Sequence, residues 1–228
     1  MKLYQNIKDG IFMERTNRFI AKVLIDGVEE NCHVKNTGRC KELLIPEKTL
    51  VRLEDHGVNT TRKTRYSLVM AKKDGRWINM DSQAPNKVVY EWIQEGKFVK
   101  NLEFIRTEKT YGNSRFDLYV EGDGKKIFVE VKGVTLEENG LSLFPDAPTL
   151  RGIKHVEELI KCKKEGFEAY LIFVIQMKGV DSFSANYKTQ PEFGKALERA
   201  NKQGVHILAY DCVVTEDGMK LDKLIHIK

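Results

Sequence analysis

The sequence predicts a mixed α/β chain in two parts, and three observations carry that reading. The first eighty residues break into about five short strands separated by turns, the number that closes a small barrel of the OB type. From residue 84 the pattern changes to a helix, antiparallel strands and then strand–helix–strand, the order of a mixed sheet with helices packed on it. Between them, Ser82, Gln83, Ala84 and Pro85 interrupt the apolar pattern, which sets the parts at 1–83 and 84–228.

Length and composition are compatible with this. The 228 residues can bury a core in one large domain or two modest ones, and 31% charged against 41% hydrophobic residues is ordinary for a soluble globular chain. Lys and Arg number 38 against 33 Asp and Glu, a net charge of +5, so where the cations lie matters more than their sum. Cys32, Cys40, Cys162 and Cys212 form no CxxC pair and no metal-ligand spacing; they read as reduced thiols. The start, MKLYQNIKDG, lacks the apolar stretch of a signal peptide, and the longest clean apolar run, Leu171 to Ile175, is far short of a membrane span. A cytoplasmic protein with no membrane partner is expected.

In the first part, Arg18 to Asp26 alternates, with Phe19, Ala21, Val23 and Ile25 on one face. An Asp26-Gly27 turn leads to a partner strand over Val28 to Val34. Asn36-Thr37-Gly38-Arg39 reads as a loop and Leu43 to Pro46 as a short buried stop. Thr49 to Glu54, Tyr66 to Lys72 and Arg76 to Asp81 complete the count, the last two joined across Asp74-Gly75.

The second part opens with a helix over Asn86 to Glu95, apolar through Val88, Val89, Trp92 and Ile93 and ended by Gly96. Glu91 beside that stripe is read as a surface glutamate, with reach toward the site as the alternative. A strand over Leu102 to Arg106 leads into a hairpin. After it come the Leu143–Asp146 loop and a helix over about Thr149 to Glu165, with Ile153, Val156, Leu159 and Ile160 on its apolar flank. Glu168 to Gln176 is a continuous apolar run, as in a strand covered on both faces. A helix over Pro191 to Gln203, a strand over Val205 to Tyr210 and a final hairpin close the chain.

The chemistry concentrates in SRFDLYVEGDGKKIFVEVKGV, Ser114 to Val134. Strands over Ser114–Val120 and Lys125–Val131 join across Glu-Gly-Asp-Gly, and alternation puts Glu130 and Lys132 on one face. Closure around Gly122 and Asp123 brings Asp117 to that face, level with Phe128 or Glu130; a one-residue slip sends it to the other. Two carboxylates and an ammonium on one edge suit Mg²⁺ or Mn²⁺, which takes hard oxygen ligands and supplies a hydroxide-like nucleophile. Asp117, twelve residues, then Glu130-x-Lys132 is the spacing of the restriction-endonuclease-like PD-(D/E)xK nucleases. The competing reading is a solvated strand face.

Cations gather at two further places. Between Thr60 and Trp77 the chain carries Arg62, Lys63, Arg65, Lys72, Lys73 and Arg76 against one acid, Asp74, with Tyr66 and Trp77 interleaved. Either that face follows a phosphate backbone and stacks bases, or it is a solvated hairpin whose aromatics belong to the core. Arg151 and His155, one helical turn apart beside Lys154, either bind a phosphate or form a balanced surface pair.

The whole chain resembles the sugar fermentation stimulation protein A (SfsA) family. The matching blocks are RTNRF (Arg15–Phe19), HVKNTGR (His33–Arg39), ELLIP (Glu42–Pro46), RKT (Arg62–Thr64), YGNSRFD (Tyr111–Asp117), VEVKGVTL (Val129–Leu136), FPDAPTLRGIKHVEEL (Phe144–Leu159) and GV-x-x-x-AY (Gly204–Tyr210). The resemblance implies an OB-like domain joined to a PD-(D/E)xK nuclease-like domain. It also implies DNA binding with little sequence preference and a role in regulating sugar, especially maltose, metabolism. Asp117, Glu130 and Lys132 fall on the superfamily's metal and catalytic positions, with Phe116 where its name-giving proline would stand.

Two functions follow. In the first, Asp117 and Glu130 hold Mg²⁺ or Mn²⁺ and Lys132 positions the attacking water. Arg39, Arg62, Lys63, Arg65 and Tyr66 on the barrel, with Arg151, Lys154 and His155 on the helix, contact the nucleic acid. In the second, the chain is a non-catalytic DNA-binding regulatory factor with no metal requirement. An RNA-processing surface is a third reading. Single- against double-stranded DNA is unresolved at this level, no protein partner is inferred, and a homodimer is left open.

Overall fold

The computed structural model describes residues 1–36, 38–59 and 61–228; Thr37 of the expected loop and Thr60 at the start of the basic stretch lie outside them. The first sheet contains β1 (Ile7–Glu14), β2 (Ile20–Ile25), β3 (Val28–Val34), β4 (Leu50–Asp55), β5 (Tyr66–Lys73) and β6 (Arg76–Asn79). Its order is β3-β2-β1-β4-β5-β6, and a parallel β3–β5 pairing closes the first five into the expected barrel. The fifth stave is therefore β1, which the apolar pattern does not reveal, while β6 extends β5 as a hairpin.

The reason is local. β1 turns only Gly10 and Phe12 fully inward. A Cβ on Gly10 would lie 2.6 Å from Val23 Cγ1, so the core there requires the absence of a side chain rather than an apolar one. The β2–β3 hairpin turns at Asp26-Gly27 with φ of 49° and 81°, the left-handed pair of a two-residue turn. Ala21, Val23 and Ile25 point into the core as expected, but Phe19 stays 44% exposed, and Ile45 in the expected buried stop is also exposed. Arg15 organises the loop that follows β3. Its guanidinium donates to the carbonyls of Gly38 (2.6 Å), Asn36 (2.7 Å), Arg39 (2.8 Å) and Arg18 (2.8 Å).

In the second part, α1 (Ala84–Gln94) precedes β7 (Leu102–Tyr111), β8 (Ser114–Gly122) and β9 (Lys125–Val134). A short pair, β10 (Glu137–Glu138) and β11 (Leu141–Phe144), occupies the expected loop before α2 (Leu150–Lys164). Then come β12 (Glu168–Ile175), β13 (Ser182–Ala185), α3 (Pro191–Lys202), β14 (His206–Val214), β15 (Met219–Leu224) and β16 (His226–Ile227). The main sheet runs β15-β14-β12-β9-β8-β7, with β9, β12 and β14 parallel and the flanks antiparallel. It is the mixed sheet the element order predicts. The short strands form a second sheet, β10-β11-β13-β16.

Helices cover both faces of the main sheet. Val88, Val89 and Ile93 of α1 pack with Leu118, Val120, Val129 and Val131 on one side. Val156 and Leu159 of α2 and Phe193 of α3 pack with Phe116, Phe128, Leu171 and Phe173 on the other. Burying each such side chain is worth about 1.5–3 kcal/mol, which fixes the strand register by fixing which face is which. The two parts meet along a polar seam. Asn79 donates its N–H to the Gln176 carbonyl (2.9 Å), the Gln176 amide donates to the Asp81 carbonyl (3.0 Å), and Leu3 N–H reaches Asp217 O (2.8 Å). All four cysteines are free thiols buried in these cores, and burial pushes Cys32, Cys40 and Cys162 up to about 12. Among the described residues, no helix is long and apolar enough to cross a membrane.

Candidate metal and nucleic-acid site

The β8–β9 hairpin turns at Asp123-Gly124, with φ of 52° and 70°, one residue later than the reading from sequence places it. The register is Leu118↔Val129, Tyr119↔Phe128 and Val120↔Ile127, so Asp117 is level with Glu130. That move shifts the partner of Asp117 by two, from Phe128 to Glu130, but the strand twists at Asp117, with Phe116 packed on the α2 side and Leu118 on the α1 side. The β8–β9 pairing stops at Leu118↔Val129, while β9 continues beside β12 to Val134. The sheet splits at this point, and Asp117 sits in the fork.

There its carboxylate replaces the missing ladder bond. Asp117 Oδ2 accepts from the Val131 N–H (2.8 Å) and Oδ1 from Asn86 Nδ2 on the first turn of α1 (2.8 Å). Burial and the neighbouring Glu130 charge push Asp117 up to about 6, against the Val131 N–H, the Lys132 ammonium and Asn86. Glu130 is 2% exposed. Its Oε1 accepts from Lys132 Nζ (2.5 Å) and from His155 Nδ1. Burial pushes its pKa up, but His155 and Lys132 outweigh that and hold Glu130 below the usual carboxylate range. Glu130 Oε2 is buried with no protein partner.

Two carboxylates level with each other, one with an orphaned oxygen, fit a hard divalent cation. Mg²⁺ is commonly held by one or two carboxylates, with waters and substrate phosphate oxygens completing its shell. Among the described residues, no three His, Cys, Asp or Glu side chains converge as a metal cage, so the shell here would be completed in that way. A cavity of about 290 Å³ opens beyond Lys132, between Asn36, Ser82, Gly133, Phe144 and Asp146.

The residues expected to touch nucleic acid divide in two. Arg39, Arg62, Lys63, Arg151 and Lys154 are exposed, Lys154 donating to the Asn113 carbonyl (2.7 Å). His155 is 5% exposed and is not the surface phosphate ligand that its helical neighbours suggested. Arg151 Nε donates to its Nε2 (3.3 Å), which leaves Nδ1 to carry the proton given to Glu130. Tyr66 is also buried, at 5%, and is no base-stacking platform. Arg65 is bonded in a fork to Asp55 (2.8 and 2.7 Å), and that pairing holds Asp55 below its ordinary range. Trp77 lies beneath Arg52 at 4.0 Å, and Lys73 and Arg76 are bound to Glu137. Glu91 pairs with the amino terminus (3.1 Å) rather than with the site.

Sequence reasoning missed Asn86. It begins the helix as read, but an asparagine in a first turn carries no signal of a carboxylate 31 positions downstream. Asn86→Ala frees one Asp117 oxygen. Such supporting hydrogen bonds are worth about 10–100-fold in metal affinity, so Mn²⁺ binding by calorimetry is expected to weaken by about tenfold with circular dichroism unchanged. An unchanged isotherm would remove Asn86 from the site.

Family models match both parts: an SfsA N-terminal OB domain over residues 13–80 and a sugar fermentation stimulation protein RE domain over 83–218. A sugar fermentation stimulation protein homolog of Desulfitobacterium hafniense is 56% identical over 225 residues, covering 99% of this chain and 97% of the relative. One from Clostridium beijerinckii is 57% identical over 218 residues, covering 96% of each. Among solved structures, Pyrococcus furiosus SfsA in complex with Ca²⁺ superposes with a TM-score of 0.89 at 28% identity, over 100% of this chain and 99% of that one.

Proposed function

Since the chain belongs to the sugar fermentation stimulation protein family, we propose that it binds DNA with little sequence preference and hydrolyses phosphodiester bonds at Asp117, Glu130 and Lys132. One observation carries the hydrolytic part: Glu130, whose charge acts on the neighbouring Asp117, keeps one buried, unpartnered oxygen while Lys132 is hydrogen-bonded to the other. An unsatisfied buried carboxylate oxygen costs about 1–3 kcal/mol or more, a cost that a cation removes. The Ca²⁺ in the Pyrococcus furiosus relative supports the same ligand preference, since Ca²⁺, Mg²⁺ and Mn²⁺ all take hard oxygen donors.

A bound Mg²⁺ or Mn²⁺ would polarise the phosphoryl oxygen and supply a hydroxide-like water. Asp117 and Glu130 would hold it, with His155 hydrogen-bonded to Glu130 and Asn86 to Asp117 to keep the two carboxylates in place. Lys132 neutralises charge that develops on the phosphate, and the exposed Arg151 and Lys154 bind the neighbouring backbone. Arg39, Arg62 and Lys63 extend the cationic path over the barrel.

The second reading, a non-catalytic regulatory factor in sugar metabolism, is favoured by one observation: both Asp117 oxygens already have protein donors. The two separate in one assay. Full-length protein is incubated with end-labelled single- and double-stranded DNA and RNA, with Mg²⁺ or Mn²⁺ and with EDTA. Scission that needs the metal and returns on adding it back is expected; binding without scission in either metal would leave the regulatory reading.

A further inference from the structure

The stacking aromatics expected on the barrel, Tyr66 and Trp77, are committed to the core and to Arg52. The exposed one is Phe19, which ends the RTNRF block. It lines a recess of about 320 Å³ where the barrel meets the start of α1, together with His33, Lys35, Asn36, Arg62 and Gln83. We infer that this recess is a subsite for one unstacked nucleobase, and that the nucleic acid it takes is single-stranded. The inference deepens the nucleic-acid reading above and rests on it.

The lining has the chemistry of such a site. Phe19 is 44% exposed, although burying a side chain of that size is worth about 1.5–3 kcal/mol, so a flat apolar partner gains by covering it. The Arg18 guanidinium lies over its ring at 4.7 Å, the arrangement in which a cation and a base share one aromatic platform. Burial and the charges of Arg62 and Lys35 hold His33 below the ordinary histidine range, so the imidazole wall is neutral at pH 7. The exposed Gln83 amide and Ser82 hydroxyl supply donors and acceptors for a base edge. Lys35 is held by Glu54 (3.0 Å) and Asp81 (3.5 Å), and the exposed Arg62 lines the same recess.

Placement ties the recess to the carboxylates. It shares Asn36 and Ser82 with the cavity that runs on to Gly133, the residue after Lys132. Gln83 on its wall precedes by three residues Asn86, which holds Asp117; along a helix that is about 4.5 Å of rise. A strand with a base on Phe19 would run from the recess toward the segment that carries Lys132. A base in a duplex is stacked and paired on all the surfaces this recess offers to fill, and must be extruded to enter. A single strand has no such cost.

The test is fluorescence anisotropy of the full chain with a labelled thymidine dodecamer and with a blunt duplex, at one fixed salt concentration. Phe19→Ala is expected to weaken the single strand by about tenfold or more, the scale of one base–aromatic stack, and to leave the duplex within about twofold. Phe19→Trp restores the affinity, and its added fluorescence is quenched by the dodecamer and not by the duplex. Equal affinity of wild type and Phe19→Ala for the single strand would overturn the subsite and leave the nucleic-acid reading standing. A wild type that binds neither probe would overturn both.

Discussion

Glu130→Gln is expected to abolish the proposed metal-dependent scission, because it removes a ligand of the metal that would activate the reacting water. The substitution keeps shape and removes one charge. Glu130 Oε1 receives two donors, Lys132 and His155, so the remaining amide oxygen must stay on that side. The NH₂ then takes the position of the orphaned Oε2, and a donor there opposes a cation. Mn²⁺ calorimetry reads this without reference to activity: the heat of binding to Glu130→Gln is expected to vanish. Retention of wild-type affinity would take Glu130 out of the metal site, and with it the hydrolytic proposal. Since Lys132 and His155 keep an acceptor, thermal stability is expected to fall by no more than about 1–3 kcal/mol.

What could be read in the sequence was governed by alternation. Alternation and the hairpin bring Asp117 close to Glu130 although the turn lies at Asp123-Gly124 rather than Gly122-Asp123. But β8 does not alternate through Asp117: Phe116 packs on the α2 side and Leu118 on the α1 side, so Asp117 bonds Asn86 of α1 while Glu130 bonds His155 of α2. The β2–β3 and β5–β6 hairpins followed from Asp-Gly pairs, which adopt the left-handed conformations such turns need. β1 was illegible because its inward position at Gly10 is filled by Val23 from the neighbouring strand. The cationic face was misjudged for a related reason. Counting charges does not show that Asp55 takes Arg65, or that Glu137, 61 residues beyond Arg76, takes both Lys73 and Arg76. His155 shares a helical flank with Arg151, but one turn of helix separates an exposed arginine from a buried imidazole, and only the packed neighbour decides which.

The Glu137 contacts with Lys73 and Arg76 make it the residue whose loss should most loosen the joint between the barrel and the C-terminal sheet-and-helix domain. It is 3% exposed and follows β9 by three residues. Its Oε2 accepts from Lys73 Nζ (3.1 Å) and Arg76 Nη2 (2.8 Å), both from the β5–β6 hairpin, while Oε1 accepts from Gly140 N–H (2.6 Å). Burial raises its pKa, but the Gly140 N–H, Lys73 and Arg76 outweigh that and hold it below the usual glutamate range. A depressed carboxylate contributes stability above its unfolded pKa of about 4.3 and loses it as pH falls through the folded value. Removing one member of a buried ionic cluster costs about 3–5 kcal/mol, and Glu137→Ala belongs at the lower end because Lys73 and Arg76 keep about a quarter of their side-chain surface in water. A loss of about 3 kcal/mol lowers the melting temperature by about 6–12 °C in a chain of this size. The gap between wild type and variant should narrow as pH falls below the unfolded value of about 4.3 and close once pH passes the depressed folded value of Glu137. The two tryptophans report on the two parts separately, Trp77 on β6 and Trp92 on α1. In wild type their fluorescence transitions in urea should coincide, and in Glu137→Ala the Trp77 transition should come first, because the hairpin has lost its anchor. Coincident transitions at the wild-type midpoint would mean that the Asn79, Gln176 and Asp81 contacts hold the seam without it.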